Sequence, residues 1–556
     1  MSSLSQGLGG EYDASRGASP PLAARRPRRR APARVAVPAL LIAGAVNLPL
    51  LYLLLRAADS GPRAFPILFS ASSLGLLWRT LALVAGSLSL ALAIAVPMAW
   101  LVARTDLRGR HVWALLGGLP LVFPSYVAAF ALVAVLGPRG FVQGWLAPFG
   151  VERLPSIAYG YSGALLAIGL FTYPYLYLPL VAALRELNPA LEESSRGFGS
   201  GRWDTFFRVI LPQLRPSLYA GGLLIVLYAI SDFGAVSITR YDTLTLSIYN
   251  AYRGLFDRGV AATLSGGLAV LALVFILVQF LLIRGLRPVR SRPVRPPRPV
   301  PLGRWQWPSQ LFLAVVTLFT LGIPLGVILF WGIRAWAVGN TLGNVGAETL
   351  NSFGASFLAA LVSAVLAIPV AAWAVRYGSK LAKGNERLCY AGYALPGLVV
   401  ALSLVFFATR HAPGIYQTLG LLVSAYVVRF LPEALSATRA AMADVAPVFE
   451  EAARSLGRAP IVVFHTITVP LIRPRLLAGA GLVFLTSMKE LPATLILRPI
   501  GFETLATRVW SAASEGVYSE AALPALLLFV VSALPIYLLV IRPALTDRNR
   551  PRPQQR

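Results

Sequence analysis

Charge is scarce in this chain, and groups that carry chemistry are scarcer. Only 13% of its 556 residues are Asp, Glu, Lys or Arg, and it holds one cysteine and three histidines. The lone Cys389 excludes a disulfide framework and a cysteine-built metal site; within its apolar run it reads as a small core residue. His111, His411 and His465 are scattered, with no His/Glu pairing at metal-ligand spacing, so we assign neither a stable metal site nor a catalytic centre. No Gly-Lys dipeptide occurs, which excludes a Gly-x-x-x-x-Gly-Lys-Ser/Thr phosphate loop and ATP binding by that route. The first 34 residues lack a cleavable signal pattern, because the Arg-rich stretch leads into a full apolar run with no small-residue cleavage site.

What the chain has instead is apolar length. Apolar residues make up 56% of it and the mean hydropathy is +0.68, which marks an integral membrane protein. A helix needs roughly 20 apolar residues to cross the hydrocarbon, and about twelve such runs occur. They lie near 35–55, 78–103, 112–136, 161–184, 217–237, 263–283, 309–333, 351–375, 388–408, 418–438, 475–497 and 522–541. Helices satisfy their own backbone in lipid, so the expected fold is an all-α polytopic bundle.

The formal charge of +27 invites a nucleic-acid reading, but its location opposes one. Residues 1–34 hold seven Arg and two acids, 284–304 hold seven Arg and no acid, and 542–556 hold five Arg and one Asp, together +16. With even numbers of spans between them, these segments share one side, and their arginines make that side cytoplasmic. Polybasic segments also attract membrane lipid, and no nucleic-acid partner is expected. The organisation is a basic tail (1–34), a first membrane repeat (35–283), an Arg/Pro-rich linker (284–308) that need not fold, a second repeat (309–541) and a basic tail (542–556).

The two repeats share a signature. Glu192-Glu193-Ser194-Ser195, Gly199, Phe206, Pro212 and Pro216 recur as Glu450-Glu451-Ala452-Ala453, Gly457, Phe464, Pro470 and Pro474, each pair 258 positions apart (450 minus 192). Pro97 and Pro124 match Pro369 and Pro396 at 272 (396 minus 124), so the first half carries 14 more residues, in a loop around 137–156. Six spans per half make the repeats parallel, related by an axis along the membrane normal. In each signature a helix starts at Pro189 or Pro447, capped in the first copy by Asn188, and stops at Gly199 or Gly457, where glycine tolerates the left-handed conformation. A second short helix carrying Phe206, Phe207 and Ile210 is expected to end at Pro212 and Pro216. One such element alone is an ordinary amphipathic connector; its repetition in register points to a partner contact.

Asp232 and Glu490, also 258 apart, follow the last proline of each signature by some fifteen residues. An ionisable group in hydrocarbon costs roughly 2.5–3.5 kcal/mol, so these two either line a translocation path or sit at the headgroup level with Lys489 or Arg498 as partners. Gly234 and Pro492, likewise matched, read as ordinary membrane-helix residues that bend these helices.

The pattern Glu-x-Ala/Ser-x-x-x-x-Gly, with proline about thirteen residues on, resembles the EAA coupling loop of the permeases of ATP-binding-cassette importers, although Ser194-Ser195 stands where that loop has Ala-Ala. Ser231-Asp232-Phe233-Gly234, Lys489-Glu490-Leu491-Pro492-Ala493-Thr494-Leu495, Leu497-Arg498-Pro499 and Glu503-Thr504-Leu505-Ala506-Thr507 make the chain most similar to fused double ferric-iron permeases. The resemblance implies the type I importer fold and coupling helices, built on Glu192, Glu193, Gly199, Phe206, Pro212 and Glu450, Glu451, Gly457, Phe464, Pro470, that dock in a dimeric ATPase. It further implies a separate substrate-binding protein, ATP used only by the partner, no cofactor on this chain, no enzymatic activity of its own, and the bacterial inner membrane as location with both termini cytoplasmic. Thiamine, polyamine and phosphonate permeases are relatives that keep the cargo open. An ion-coupled secondary transporter with six plus six spans is the rival from another class, and a membrane enzyme finds no supporting motif.

Overall fold

The computed structural model describes residues 31–59, 64–138, 140–150, 157–254, 257–284, 299–337, 339 and 345–536. The basic tails, apart from 31–34, most of the Arg/Pro-rich linker, the end of the last expected span and 151–156 of the longer first-half loop lie outside the described residues. Among the described residues the ordered backbone is helical apart from one bridge, Thr105 with Val300. That bridge corrects part of the expectation for the linker. Its end is stitched to the first repeat, with the Val300 N–H donating to the Arg104 carbonyl (2.8 Å) and the Leu302 N–H to Asp106 Oδ1 (2.9 Å).

Ten helices among the described residues are long and apolar enough to cross a membrane, an eleventh crossing is a bent helix pair, and Tyr518–Ala533 is shorter. Three departures from the expected twelve runs have local causes. The run near 112–136 breaks into Arg110–Leu116, a 3-10 turn Leu119–Val122 and Ser125–Leu136. The run near 388–408 breaks into Lys380–Tyr393 and Gly397–His411, bent by 101°. In both, the residue before the matched proline is extended (Phe123 φ −80°, ψ 125°; Leu395 φ −83°, ψ 132°), as the clash with proline Cδ requires. Pro124 and Pro396 then open the next helix, so the break itself is duplicated. The third departure is that the runs near 217–237 and 475–497 stop at Ser231 and Met488, and short helices Gly234–Ile238 and Pro492–Leu497 follow.

The halves exchange their first helices. Ala33–Asp59 packs on Val345–Ala372 and Lys380–Ala394 of the other half, where Asn47 Nδ2 donates to the Leu388 carbonyl and Asn385 Nδ2 to the Ala39 carbonyl, both at 3.0 Å. In return Ile323–Ala337 packs on Ser125–Leu136, and the Phe330 ring lies 4.8 Å, centroid to centroid, from that of Phe141 in the short helix that follows. Interhelical amide bonds of this kind hold where lipid offers no hydrophobic drive between helices.

Close crossings are also made twice. A Cβ on Gly221 would lie 2.8 Å from Leu176 Cα, and one on the matched Gly479 would lie 2.6 Å from Ala437 Cβ. Each glycine lets the helix after the corner lie against the helix before it. We therefore expect Gly221→Val to cost about 1–3 kcal/mol through overpacking and to lower the thermal midpoint of the purified protein. An unchanged midpoint would show that the crossing has slack.

Candidate functional site

Each corner is built from the sequence outward. Asn188 Oδ1 accepts the Ala190 N–H (3.1 Å) and so caps helix Pro189–Gly197. Gly199 turns the chain at φ +85°, and Arg202 starts the next helix. In the second copy, helix Pro447–Ser455 follows the non-capping Ala446, and Gly457 turns at φ +79°. A side chain with a Cβ is strained at such φ values, which is why a glycine stands at each corner.

The two acidic residues of each signature divide their labour. Glu193 and Glu451 face outward, whereas Glu192 and Glu450 are buried. Glu192 is ion-paired with Arg104, at the end of helix Ala71–Arg104. Glu450 accepts from Arg376 (2.8 Å) and from Thr468 Oγ1 (3.1 Å), while Arg376 Nη1 also donates to the Val445 carbonyl (3.1 Å). Arg104 and Arg376 stand 272 apart (376 minus 104), the offset already given by the prolines of the same region. The clamp is therefore duplicated with its corner. Sequence reading missed both arginines, although that offset points to them.

The structure overturns one expectation here: Pro212 and Pro216 do not end a short helix. A π turn spans Phe206–Ile210, in which the Leu211 N–H donates to the Phe206 carbonyl, and a second spans Phe464–Thr468, with the Val469 N–H donating to Phe464. The wide turn comes immediately before Pro212 and Pro470, so the residues without an N–H fall where the ladder has already shifted register. Each corner thus continues into one rod, Arg202–Ser231 (30 residues) or Pro460–Met488 (29 residues).

Around each corner, matched apolar side chains remain uncovered. Leu191, Phe198 and Trp203 correspond to Phe449, Leu456 and Ile461 at the 258 offset, and Phe198 and Leu456 are 90% and 84% exposed. Exposed apolar patches of this kind mark contact surfaces.

At the far end of the rods, a cavity of about 220 Å³ lies between the halves and is lined by residues of both. Asp232 and Glu490 stand in it at equivalent places. Asp232 Oδ1 accepts the Ala235 N–H (2.9 Å) and Glu490 Oε1 the Ala493 N–H (3.1 Å), so each carboxylate holds the start of the short helix that follows it. Their other partners differ. Ser125 Oγ donates to Asp232, whereas Arg429 is ion-paired with Glu490. At the position matching Ser125 the second half has Gly397, where a Cβ would lie 2.6 Å from Arg429 Nη1. Glu490 thus pairs with Arg429 rather than with the expected Lys489 or Arg498; Lys489 Nζ donates to the Leu121 carbonyl of the other half (3.0 Å), and Arg498 pairs with Glu503 (3.1 Å).

The second-half wall carries Arg429, Glu433 and Lys489 where the first-half wall carries Phe171, Tyr175 and Ser231. Sequence reading also missed Arg429 and Glu433, which lie one turn apart within an apolar run and are visible as such. Among the described residues, no group of three or more His, Cys, Asp and Glu side chains is arranged to hold a metal ion. Gly234 is explained by packing, since a Cβ there would lie 2.8 Å from Tyr126 Cβ. Nearby, contacts between the halves link the segments that follow the rods: Trp510 Nε1 donates to Ser237 Oγ (2.8 Å), and Arg253 Nη2 donates to the Leu495 carbonyl (3.1 Å).

Two segments of the chain, residues 91–288 and 363–544, match the description of a binding-protein-dependent transport system inner membrane component. The chain belongs to this family. Each matched segment of the inner membrane component contains one arginine clamp, one corner, one rod and one of the paired cavity carboxylates, Asp232 or Glu490. A Fe(3+)-transport system permease of Haemophilus influenzae is 34% identical over 92% of this chain and 98% of its own length. A ferric transport system permease of Actinobacillus pleuropneumoniae is 24% identical over 75% of this chain and 64% of its own length. A sulfate transport system permease of Escherichia coli is 33% identical over a shorter stretch, 25% of this chain and 49% of that protein. Membership makes this chain a multi-pass transport permease that works with a binding protein.

Removing Arg104 leaves a buried carboxylate without its cation, a loss of about 3–5 kcal/mol for such pairs. Arg104→Ala should release the first corner, read as faster tryptic cleavage at Arg196 and Arg202, and Arg104→Glu with Glu192→Arg should restore protection in part. Equal cleavage rates in all three proteins would show that the ion pair does not hold the corner.

Proposed function

We propose that this chain is the permease of an ATP-binding-cassette importer for ferric iron, supplied by a substrate-binding protein and driven by a separate ATPase dimer. One observation carries the machine: two equivalent corners, each clamped by a buried ion pair and ringed by matched exposed apolar side chains, sit at the ends of two rods. A dimeric ATPase offers two equivalent clefts, and Leu191, Phe198 and Trp203 with Phe449, Leu456 and Ile461 are the residues that would enter them. The cargo reading rests on the ferric-transport permeases, which are similar to this chain along most of its length. The arginine-rich tails and linker support a bacterial inner-membrane orientation with both termini and both corners in the cytoplasm.

In this mechanism ATP binding closes the ATPase, and the corners move with it. The ion pairs to Arg104 and Arg376 carry the spans Ala71–Arg104 and Val345–Tyr377 along, and the rods deliver the motion to the cavity, which alternately opens to either side. Asp232, Glu433 and Glu490 line the path and favour a cation. Arg429 and Lys489, interleaved among them, keep retention weak, as conduction requires of a site that must also release. The chain itself uses no ATP and performs no chemistry on its cargo; affinity resides in the binding protein.

Proteoliposomes containing this chain and its co-purifying subunits decide the reading. Radiolabelled ferric iron should enter only with both ATP and a binding protein. Entry driven by an ion gradient without ATP would favour the secondary transporter, and ATP-dependent entry of thiamine, polyamine or phosphonate alone would keep the machine and replace the cargo. Within that assay, Gly199→Val with Gly457→Val should abolish uptake while the protein still inserts, because a β-branched residue cannot hold φ near +80°. Asp232→Asn with Glu490→Gln should slow iron entry and leave basal ATP hydrolysis in place; unchanged entry at equal protein level would remove both from the path.

A further inference from the structure

The two corners differ in what lies behind them. Beside the first, Trp100 packs edge-on against Phe206 (5.6 Å) and under Arg104 (5.8 Å). The matched position of the second half, 272 residues on, is Ala372 (372 minus 100), and there a cavity of about 330 Å³ lies between the start of the first membrane helix and the second corner. Its wall is apolar, with Val35, Ile368, Met442, Val463 and Phe464. Its charged residues are Arg34, Arg376, Arg454 and Glu450. Arg376 is committed to Glu450 at 2.8 Å, and Arg454 lies 3.5 Å from the same carboxylate. One carboxylate thus faces three guanidinium groups, and of these Arg34 and Arg454 are exposed.

An apolar slot with surplus positive charge is complementary to an amphiphile with an anionic head. Arg34 is the second residue of a membrane helix, at the depth where lipid head groups lie and where basic pockets between membrane helices recruit anionic lipid. The chain preceding Pro32 is a poor occupant, because Arg25, Arg26, Arg28, Arg29 and Arg30 would meet like charge in the slot. We propose that this cavity binds one anionic phospholipid, an acyl chain lying over Ala372 and the head-group phosphate held by Arg34 and Arg454. The bound lipid wedges the second corner against the first membrane helix, so the stance of that corner, and not of the Trp100-filled first corner, depends on membrane composition.

Native mass spectrometry of the full chain, loaded with phosphatidylglycerol or with phosphatidylcholine of the same acyl chains, tests this directly. The unaltered protein should keep one phosphatidylglycerol under activation that strips phosphatidylcholine. Ala372→Trp, which copies the residue of the first half, should abolish that retention. Arg34→Gln with Arg454→Gln changes exposed residues only, so it decides the question even if the tryptophan variant fails to fold. It should lower retention on the order of twentyfold, at roughly fivefold per arginine near the membrane surface. Equal retention of the two lipids, an unaffected double variant, or undiminished retention in a folded Ala372→Trp protein would each overturn the site. So would displacement of the lipid by inorganic phosphate, which would assign the arginines to a free anion instead.

Discussion

Proline in a helix removes a hydrogen bond and pushes against the preceding turn, and this chain places two of them in the interior of each helix that leaves a corner. The π turn ahead of Pro212 and Pro470 reconciles that chemistry with continuity, and the rest of the molecule depends on the result. Because the ladder widens before the proline rather than snapping at it, Gly201 and Asp232 are the two ends of one helix, as are Ala459 and Lys489. At 1.5 Å per residue each rod is roughly 45 Å long. A displacement at a corner therefore reaches a cavity carboxylate without crossing a flexible joint.

The buried ion pairs complete this logic at the near end. A pair such as Arg104 with Glu192 adds little net stability over an apolar packing, since desolvation offsets most of the Coulomb gain. What it supplies is geometry: a guanidinium at the end of one membrane helix accepts only one placement of the corner. Beside Arg104 the linker is pinned through Val300, so the connection between the halves is anchored at this clamp. At the far end, Asp232 and Glu490 each grip the first turn of a short helix, which gives them a structural task independent of any role in transport.

Much of this was legible in the sequence because duplication supplies an internal alignment. The glycine corners, the matched carboxylates and the shared register of the signatures all follow from residues 258 apart. The ion-pair partners were legible in principle and were missed, since Arg104 and Arg376 belong to the region with the other offset. Two features had no such signal. Hydropathy counts side chains and does not register a backbone that kinks at Leu395 or ends at Ser231, so the run lengths overstate the straight spans. The π turns arise from the competition between proline and a helix that packing on both sides keeps in line, and no local propensity announces them. Divergence was readable only after the fold was known. Gly397 in place of Ser125 has meaning once Arg429 is seen to need its space, and Ala372 in place of Trp100 once a cavity is seen to fill it.

The exchange of first helices bears on how the molecule is made. Helix Ala33–Asp59 has its principal partners at Val345–Ala372 and Lys380–Ala394, some three hundred residues later in the chain. At about 5–20 residues per second, synthesis reaches those partners roughly fifteen to sixty seconds after the first helix has emerged. During that interval Asn47 has no Leu388 carbonyl to bond, and the helix must wait in the bilayer or in the care of the insertion machinery. Assembly of the second repeat is then also the completion of the first, and the order of synthesis becomes part of the folding pathway.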